Sequence, residues 1–355
     1  MTHRVIGLGF GDEGKGLTTS FLCAKNPAAV VVRFNGGHQA GHTVVHNSHR
    51  HVFSGFGSGT LQGNETYWSH FCTFYPPSFV RERSMLEAFS PKITVHPDCP
   101  VTTYFDVDHN RIAEKTRRHG SVGMGFGATI AREEAHYCLR VRDLEYPTVL
   151  RLKLESIVKY YGIQEDVTSE IDLFMSHCAK ALKYITISGY GALNGKPCIF
   201  EGAQGVLLDQ SAGFFPHVTR SNTTSQNSFL IRKEPGAIWY VTRSYLTRHG
   251  NGPLPGECSL ELMHNEQETN QLHEYQGQFR TAPLNIELLK YAISVDSAFS
   301  GKDGRDCTKA LMITCVDQYM VDLDMIKREL KGLVKSFYIS TGPRATDVFD
   351  VTHGS

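Results

Sequence analysis

Short β-branched runs, each ending in a glycine-bearing or polar loop, recur along the chain. Arg4 to Leu8 and Ala29 to Phe34 (A-V-V-V-R-F) read as strands, and Gly14 to Ala24 between them reads as a helix. Strand, glycine loop, helix, strand is one βαβ unit of a parallel sheet. Later apolar runs follow at Cys198-Ile199-Phe200 before E-G-A-Q-G, at Ile238 to Val241, at Ala310 to Thr314, and at Phe337-Tyr338-Ile339 before S-T-G-P. Such loops fall where open α/β sheets bind ligands, at the carboxyl ends of strands. Residues 60 to 120 and 144 to 195 look more helical and carry no comparable motif. No internal repeat, low-complexity tract or Pro/Ser-rich linker divides the chain, so residues 1–355 are expected to form a single elaborated domain.

Composition narrows the function classes. The chain has 355 residues, 41% hydrophobic and 20% charged, which is ordinary for a soluble globular protein. Its 36 basic residues balance 36 acidic ones, so no overall field recruits nucleic acid or an anionic membrane, and neither is expected as a partner. The nine cysteines never approach C-x-x-C spacing, no charged-then-apolar leader opens the chain, and no apolar stretch would span a bilayer. A reduced cytoplasmic protein is expected.

The segment G-L-G-F-G-D-E-G-K-G-L, residues 7 to 17, carries two overlapping phosphate-binding signatures. Gly9, Gly11 and Gly14 spell the dinucleotide fingerprint, and Gly9 to Lys15 spells most of a P-loop. A dinucleotide site needs an acid after the second strand, where this chain reads V-R-F-N-G-G-H. The lysine after the third glycine is superfluous there but needed in a P-loop, so the phosphate-transfer reading is preferred. Gly16 stands where a P-loop places its magnesium-binding Ser or Thr. The fold class is therefore α/β, with a P-loop-like, mostly parallel central sheet flanked by helices.

A carboxylate facing triphosphate oxygens is repulsive unless it meets a metal or handles a proton, so Asp12 is read as chemical and Glu13 as structural. A second small-residue loop, N-G-G-H-Q-A-G-H-T at residues 35 to 43, brings His42 as a candidate catalytic group. His38, His42 and His46 recur at every fourth position, but the glycines at 36, 37 and 41 argue against the helix that a zinc face would need.

Taken together, G-D-E-G-K-G followed by G-G-H-Q-A-G-H-T resembles the adenylosuccinate synthetase family, in particular its compact archaeal and phage members. The likeness continues through G-S-V-G-M-G-F-G-A (120 to 128), L-R-V-R-D-L (139 to 144), E-G-A-Q-G-V-L-L-D (201 to 209), H-V-T-R-S-N-T-T (217 to 224), L-T-R-H-G-N-G-P-L-P (246 to 255) and I-S-T-G-P (339 to 343). It implies a ligase that transfers the γ-phosphoryl of GTP to O6 of IMP and lets the amine of L-aspartate displace phosphate, with Mg2+ as cofactor. By resemblance Asp12 takes the purine N1 proton and helps hold magnesium, and His42 donates to the charge developing on O6. Gly11, Glu13, Gly14, Lys15, Gly16, Thr43, Asp317, Ser340, Gly342 and Pro343 fall to the nucleoside triphosphate, and the Gly41 carbonyl to magnesium. Gln39, Ser121, Val122, Gln204, Thr219 and His249 fall to the purine nucleotide, and Arg280 and Thr281 to the amino acid. Family sites borrow a residue across a subunit interface, which implies a homodimer.

Several positions depart from the family pattern. The guanine-reading T-K-L-D is T-C-V-D at 314 to 317, leaving ATP or dATP open as donor. The arginine-rich amino-acid loop is Q-G-Q-F-R-T-A-P at 276 to 283, with Arg280 its one clear guanidinium. Ser121-Val122 replaces Thr-Thr, His136 stands at the interfacial arginine, Gln39 replaces asparagine, and His249 replaces a small apolar residue. These changes surround the acceptor and keep a second expectation in play, a phage-type 2-aminoadenylosuccinate synthase acting on dGMP. The intact Asp12 favours IMP, because enzymes of that type place a small residue there. From other classes, a P-loop switch would have no use for H-Q-A-G-H-T, and an NAD-dependent dehydrogenase is disfavoured by Lys15.

Overall fold

The computed structural model describes residues 1–117, 121–263, 278–300 and 306–353. Gly120 and residues 276 and 277 of the segments quoted above lie outside them. The first half runs β1 (Thr2–Gly7), α1 (Lys15–Lys25), β2 (Val30–Arg33), β3 (His42–His46), β4 (His49–Phe53), β5 (Thr66–Trp68), α2 (Pro76–Met85), β6 (Ile93–Val95), α3 (Tyr104–Arg117) and α4 (Phe126–Glu134). There follow α5 (Pro147–Tyr160), α6 (Thr168–Leu182), β7 (Thr186–Ile187), β8 (Cys198–Glu201), α7 (Gln226–Ile231), β9 (Ala237–Arg243) and β10 (Tyr245–His249). The chain closes with β11 (Phe279–Pro283), α8 (Ile286–Ser300), β12 (Thr308–Thr314), α9 (Leu323–Glu329), β13 (Ser336–Ser340) and β14 (Val348–Asp350).

Ten of these strands form one sheet in the order β14-β13-β12-β9-β1-β8-β2-β5-β6-β7. Every pairing in it is parallel except β13 with β14. The central strands are buried on both faces, which is why they read as continuous apolar runs. Alternation appears only in which face each residue serves. Ile6, Val30, Val32 and Phe200 pack toward Phe229 of α7 and Leu289 and Ile293 of α8. Val5, Val31, Ile199 and Met312 pack toward Phe21 and Leu22 of α1. A third cluster joins α2, α3, α5 and α6 to the β5–β6 end of the sheet through Trp68, Phe79, Phe105, Leu154 and Phe174.

The expected βαβ unit is present, with α1 one residue later than read and β1 starting two residues earlier. The two segments read as helical hold α2, α3, α5 and α6 but also β5, β6 and β7. Those strands have 3, 3 and 2 residues, too short to show a period in sequence, and they exist because β2 offers an edge to pair with. No described helix is long and apolar enough to cross a membrane.

The order places β1 between β8 and β9, with β2 beyond β8. The loops after β1, β2, β8, β9, β12 and β13 therefore leave the same edge of the sheet, and the chain reverses its direction of travel there.

Candidate active site

That edge carries an open cavity of about 2190 Å³. Gly11, Asp12, Gly14, Lys15, Gly16, Gln39, Gly41, His42, Thr43, Ser121, Val122, Gln204, Thr219, His249, Asp317, Ser340, Gly342 and Pro343 all line it.

The loop after β1 owes its shape to three left-handed residues in four: Gly11 (φ 96°), Asp12 (φ 61°) and Gly14 (φ 93°). Aspartate is one of the few side-chain-bearing residues that tolerate this region, and the turn sends the neighbouring acids to opposite sides. Glu13 goes under the loop and does not line the cavity: its Oε1 accepts from the Gly9 and Gly11 N–H groups at 3.0 and 2.9 Å, and its Oε2 pairs with Lys15 Nζ. Gly205 of E-G-A-Q-G is required beside it, because a Cβ there would collide with Glu13 and the Gly9 carbonyl. Asp12 instead keeps 32% of its side chain exposed in the cavity. Its carbonyl accepts from Arg243 Nε at 2.5 Å, and its Oδ2 lies 3.5 Å from His249 Nε2.

The loop after β2 is fastened to the loop after β8. Asn35 donates to the Ala203 carbonyl and accepts from the Ala203 N–H, both at 2.8 Å. A Cβ at Gly36, whose φ is 72°, would fall 2.8 Å from the Ala203 Cβ. This loop hands the chain to β3, not to a helix, with His42 as its first residue. His42 Nδ1 meets Glu201 Oε1 at 2.7 Å, and Glu201 also accepts from the Ser58 N–H at 3.0 Å and from the Ser58 hydroxyl. Burial pushes the Glu201 carboxyl up, but His42, Arg33 and the Ser58 hydroxyl outweigh it and hold it below its ordinary value. An ionised carboxylate only accepts, so Nδ1 carries the imidazole hydrogen and Nε2 is left for the cavity. Burial pulls His42 below its ordinary value, with Arg33 and Lys15 adding to it and Glu201 opposing. The site therefore holds a neutral ring against a fully buried carboxylate.

The other two histidines of the series do not join His42. His38 packs against Trp68 and Phe74 at 5.2 and 5.8 Å between ring centroids, and burial pulls it to about 4. Among the described residues no group of three potential ligands gathers around a metal position.

Ser121 Oγ accepts from Asn110 at 3.0 Å, and among the described residues the buried amide atoms Gln39 Nε2 and Gln204 Oε1 have no hydrogen-bond partner. Thr314 Oγ1 donates to the Glu13 carbonyl at 2.7 Å, and a Cβ at Gly14 would lie 2.8 Å from Thr314 Cγ2, so the loop after β12 is pressed against the loop after β1. The Val316 N–H donates to the Ser340 carbonyl at 3.2 Å, linking the loops after β12 and β13.

An acid and an imidazole from two glycine-lined turns thus face one cavity beside a P-loop lysine. The sequence profile of the adenylosuccinate synthetase family matches residues 4–300. The chain belongs to the adenylosuccinate synthetase family. Members of this family are C–N bond-forming ligases of purine nucleotide biosynthesis, and this chain is one of them. Adenylosuccinate synthetase of Thermoplasma volcanium is 31% identical over 328 residues, 83% of this chain and 73% of the relative. The fully ligated adenylosuccinate synthetase of Plasmodium falciparum shares the fold with a TM-score of 0.78 at 18% identity, over 98% of both chains. The cyanophage S-2L succinoaminodeoxyadenylate synthetase, solved with dGMP and dATP, does so with a TM-score of 0.70 at 17% identity, over 98% of this chain and 95% of that one.

Against the family pattern, the two residues singled out for the amino acid lie elsewhere. Arg280 and Thr281 do not line the cavity. They sit on β11, paired with β10, where Arg280 bonds Glu257 through Nε at 2.8 Å and through NH2, and its NH1 donates to the Gly250 and Gly252 carbonyls at 2.9 Å. Thr281 Oγ1 donates to the Cys258 carbonyl at 2.6 Å. The arginines that do line the cavity of this synthetase-family chain are Arg220, Arg243, Arg248 and Arg344, with Arg50. Arg248 is buried over Phe10, 4.4 Å from the ring centroid, with NH1 and NH2 on the Pro253 and His217 carbonyls. Burial, with Arg280 adding, lowers its pKa to about 10. Sequence reasoning gave no role to Arg248, to Arg243 or to Glu201, although Glu201 and Arg248 both lie inside quoted motifs. The signal for Glu201 was there: an acid at the end of a wholly apolar strand must find a buried partner.

Proposed function

We propose that this cavity transfers the γ-phosphoryl of a purine nucleoside triphosphate to O6 of IMP and condenses the activated purine with L-aspartate, giving adenylosuccinate, nucleoside diphosphate and phosphate. The observation that carries the reading is that His42, backed by the buried Glu201, faces the same cavity as Asp12 and Lys15. O6 of a 6-oxopurine is a poor leaving group until it is phosphorylated. Asp12 accepts the N1 proton as O6 attacks, and the electron pair released at N1 makes O6 nucleophilic. Burial by the protein alone leaves His42 neutral. Phosphate charge arriving beside Nε2 favours the imidazolium, whose Nδ1 hydrogen stays on Glu201 while Nε2 donates to the oxygens gaining charge. Lys15 holds the terminal phosphates once it exchanges Glu13 for them. The aspartate amine then attacks C6 and phosphate departs.

Mg2+ fits the donors present: the Asp12 carboxylate, turned into the cavity where Glu13 is not, and the Gly41 carbonyl are the hard oxygen ligands we assign to it. Bound there it would neutralise charge on the triphosphate. Ser121, Val122 and Thr219 take the acceptor's phosphate side, while Gln39 Nε2 and Gln204 Oε1, buried without a partner among the described residues, take its base. Thr43, Asp317, Ser340, Gly342 and Pro343 take the donor. Arg280 and Thr281 are held by partners outside the cavity lining and are not expected to take the amino acid there, although that role is the one implied by resemblance. A homodimer is assigned on resemblance, and a monomer by sedimentation at working concentration would remove it.

A second acceptor, dGMP, is motivated by His249 beside Asp12 and by Ser121-Val122, both on the acceptor side of the cavity. One assay separates the readings: IMP, dIMP, GMP and dGMP are each incubated with aspartate, Mg2+ and GTP, ATP or dATP, and products are weighed by mass spectrometry. A succinylated product from IMP is expected. A succinylated product from dGMP alone would replace IMP by the second reading, and phosphate release without any succinylated nucleotide would remove the ligase chemistry.

A further inference from the structure

We propose that the donor nucleotide carries a 6-aminopurine, and that Gln318, acting with Asp317, selects it over guanine. This rests on the ligase reading above and specifies its energy donor. The two residues sit on one tight turn at the end of β12. Cys315 is left-handed (φ 60°), and its carbonyl collects the Gln318 N–H at 3.0 Å, the Tyr319 N–H at 3.3 Å and the Ser244 hydroxyl at 2.8 Å. The Gln318 carbonyl accepts from the Met263 N–H at 3.0 Å, so its backbone is fixed on both sides. Thr314, three residues before Asp317, is bonded to the phosphate loop, which places this turn and Lys15 in one nucleotide site.

Gln318 Nε2 donates to Asp317 Oδ2 at 2.8 Å, and both residues line the cavity. A carboxylate only accepts, so the amide must turn its NH2 group toward it. The pair then offers Asp317 Oδ1 as an acceptor beside the second Nε2 hydrogen as a donor. Adenine presents the complement, an N6 amino donor next to the N1 acceptor. Guanine presents two adjacent donors, N1–H and the 2-amino group, and needs both carboxylate oxygens free. It would have to displace the Gln318 amide or leave N1–H facing another donor. A site whose polar groups are paired for one edge rejects the other by leaving buried donors unmatched.

The test is equilibrium binding of the β,γ-imido analogues of ATP and GTP to the full chain with Mg2+, which reads base preference without catalysis. A failed ligase reading would show in the product assay and a failed base assignment here. The unaltered chain is expected to bind the adenine analogue about tenfold or more tightly over the guanine one. Gln318→Ala and Gln318→Leu, each checked for an unchanged melting curve, should free the carboxylate and bring the ratio to unity or invert it. Equal binding, tighter guanine binding, binding of neither analogue, or a ratio that persists in a folded Gln318 variant would each overturn the proposal.

Discussion

Two glutamates, one paired with a histidine and one with an arginine, show how differently a carboxylate is used in two regions of the molecule. Glu201 and His42 meet under the cavity floor with side-chain exposures of 0% and 7%, and Ser58 takes the remaining hydrogen bonds. Glu257 and Arg280 meet on the β10–β11 hairpin with exposures of 45% and 21%. A buried carboxylate is tolerated only when it is fully bonded, so the first pair fixes a ring orientation, whereas the second gains little because water competes for both partners. Precise chemistry belongs where desolvation has been met by hydrogen bonds, and the hairpin pair does not provide that setting.

The largest break in the buried region is removal of the reacting groups. His42→Ala and Asp12→Ala should each lower turnover by on the order of 10² to 10⁴, with triphosphate binding largely kept, since both groups act mainly in the transition state. Rapid-quench product formation beside equilibrium binding of a triphosphate analogue checks this. Most of the turnover surviving in either variant would end that residue's role.

Glu201→Gln leaves the shape intact and changes only what faces Nδ1. The imidazolium loses its counter-charge, so kcat should fall by roughly 10²-fold while KM for the triphosphate stays within a few-fold. The pH profile should also change: Glu201 raises the His42 pKa, the protonated ring is the active form, and neutralising Glu201 therefore moves the alkaline limb to lower pH. A variant with normal kcat and an unshifted profile would reduce Glu201 to packing.

The region around His38 makes a stability prediction. Burial takes His38 to about 4, so it is neutral when folded at a pH where the unfolded chain binds a proton. The unfolded state then holds more protons, and stability rises with pH in that window. The contribution is fully present above about pH 6.5 and is lost as pH falls toward 4, by roughly 3 kcal/mol for a shift of this size. His38→Phe, which keeps the contacts to Trp68 and Phe74, should lose less stability than the parent between pH 6.5 and 4 in urea titrations. Parallel acid curves for the two would contradict it.

The same contrast explains what could be read before the fold was known. Gly11, Gly14, Gly36 and Gly205 encode backbone conformation or close approach, properties each residue carries wherever its partners are, so the turn after β1 and the His42 turn were legible as tight glycine-lined loops. The runs around Val5, Val31 and Ile199 were legible for a similar reason, since burial on both faces writes itself as continuous hydrophobicity. Strands β5 to β7 were not, because 2 or 3 residues hold no period and their existence depends on the edge of β2. Arg280 was legible only in part. An arginine reads as a carboxylate ligand in any sequence, and only the position of Glu257, 23 residues away, says that its carboxylate is already in the chain.

That makes Arg280→Ala the mildest intervention and the sharpest on the exposed region. Its pair with Glu257 is half in water, so the loss in stability should stay under about 1 kcal/mol. Its guanidinium is held by Glu257 and two glycine carbonyls outside the cavity lining, so KM for aspartate should change by less than about threefold, within what loss of one solvent-exposed hydrogen bond produces. A rise in that KM of tenfold or more, with kcat and the melting curve unchanged, would mean that aspartate takes Arg280 from Glu257 during turnover. The hairpin would then belong to the amino-acid site after all, as a surface ion pair that exchanges its internal carboxylate for the substrate's.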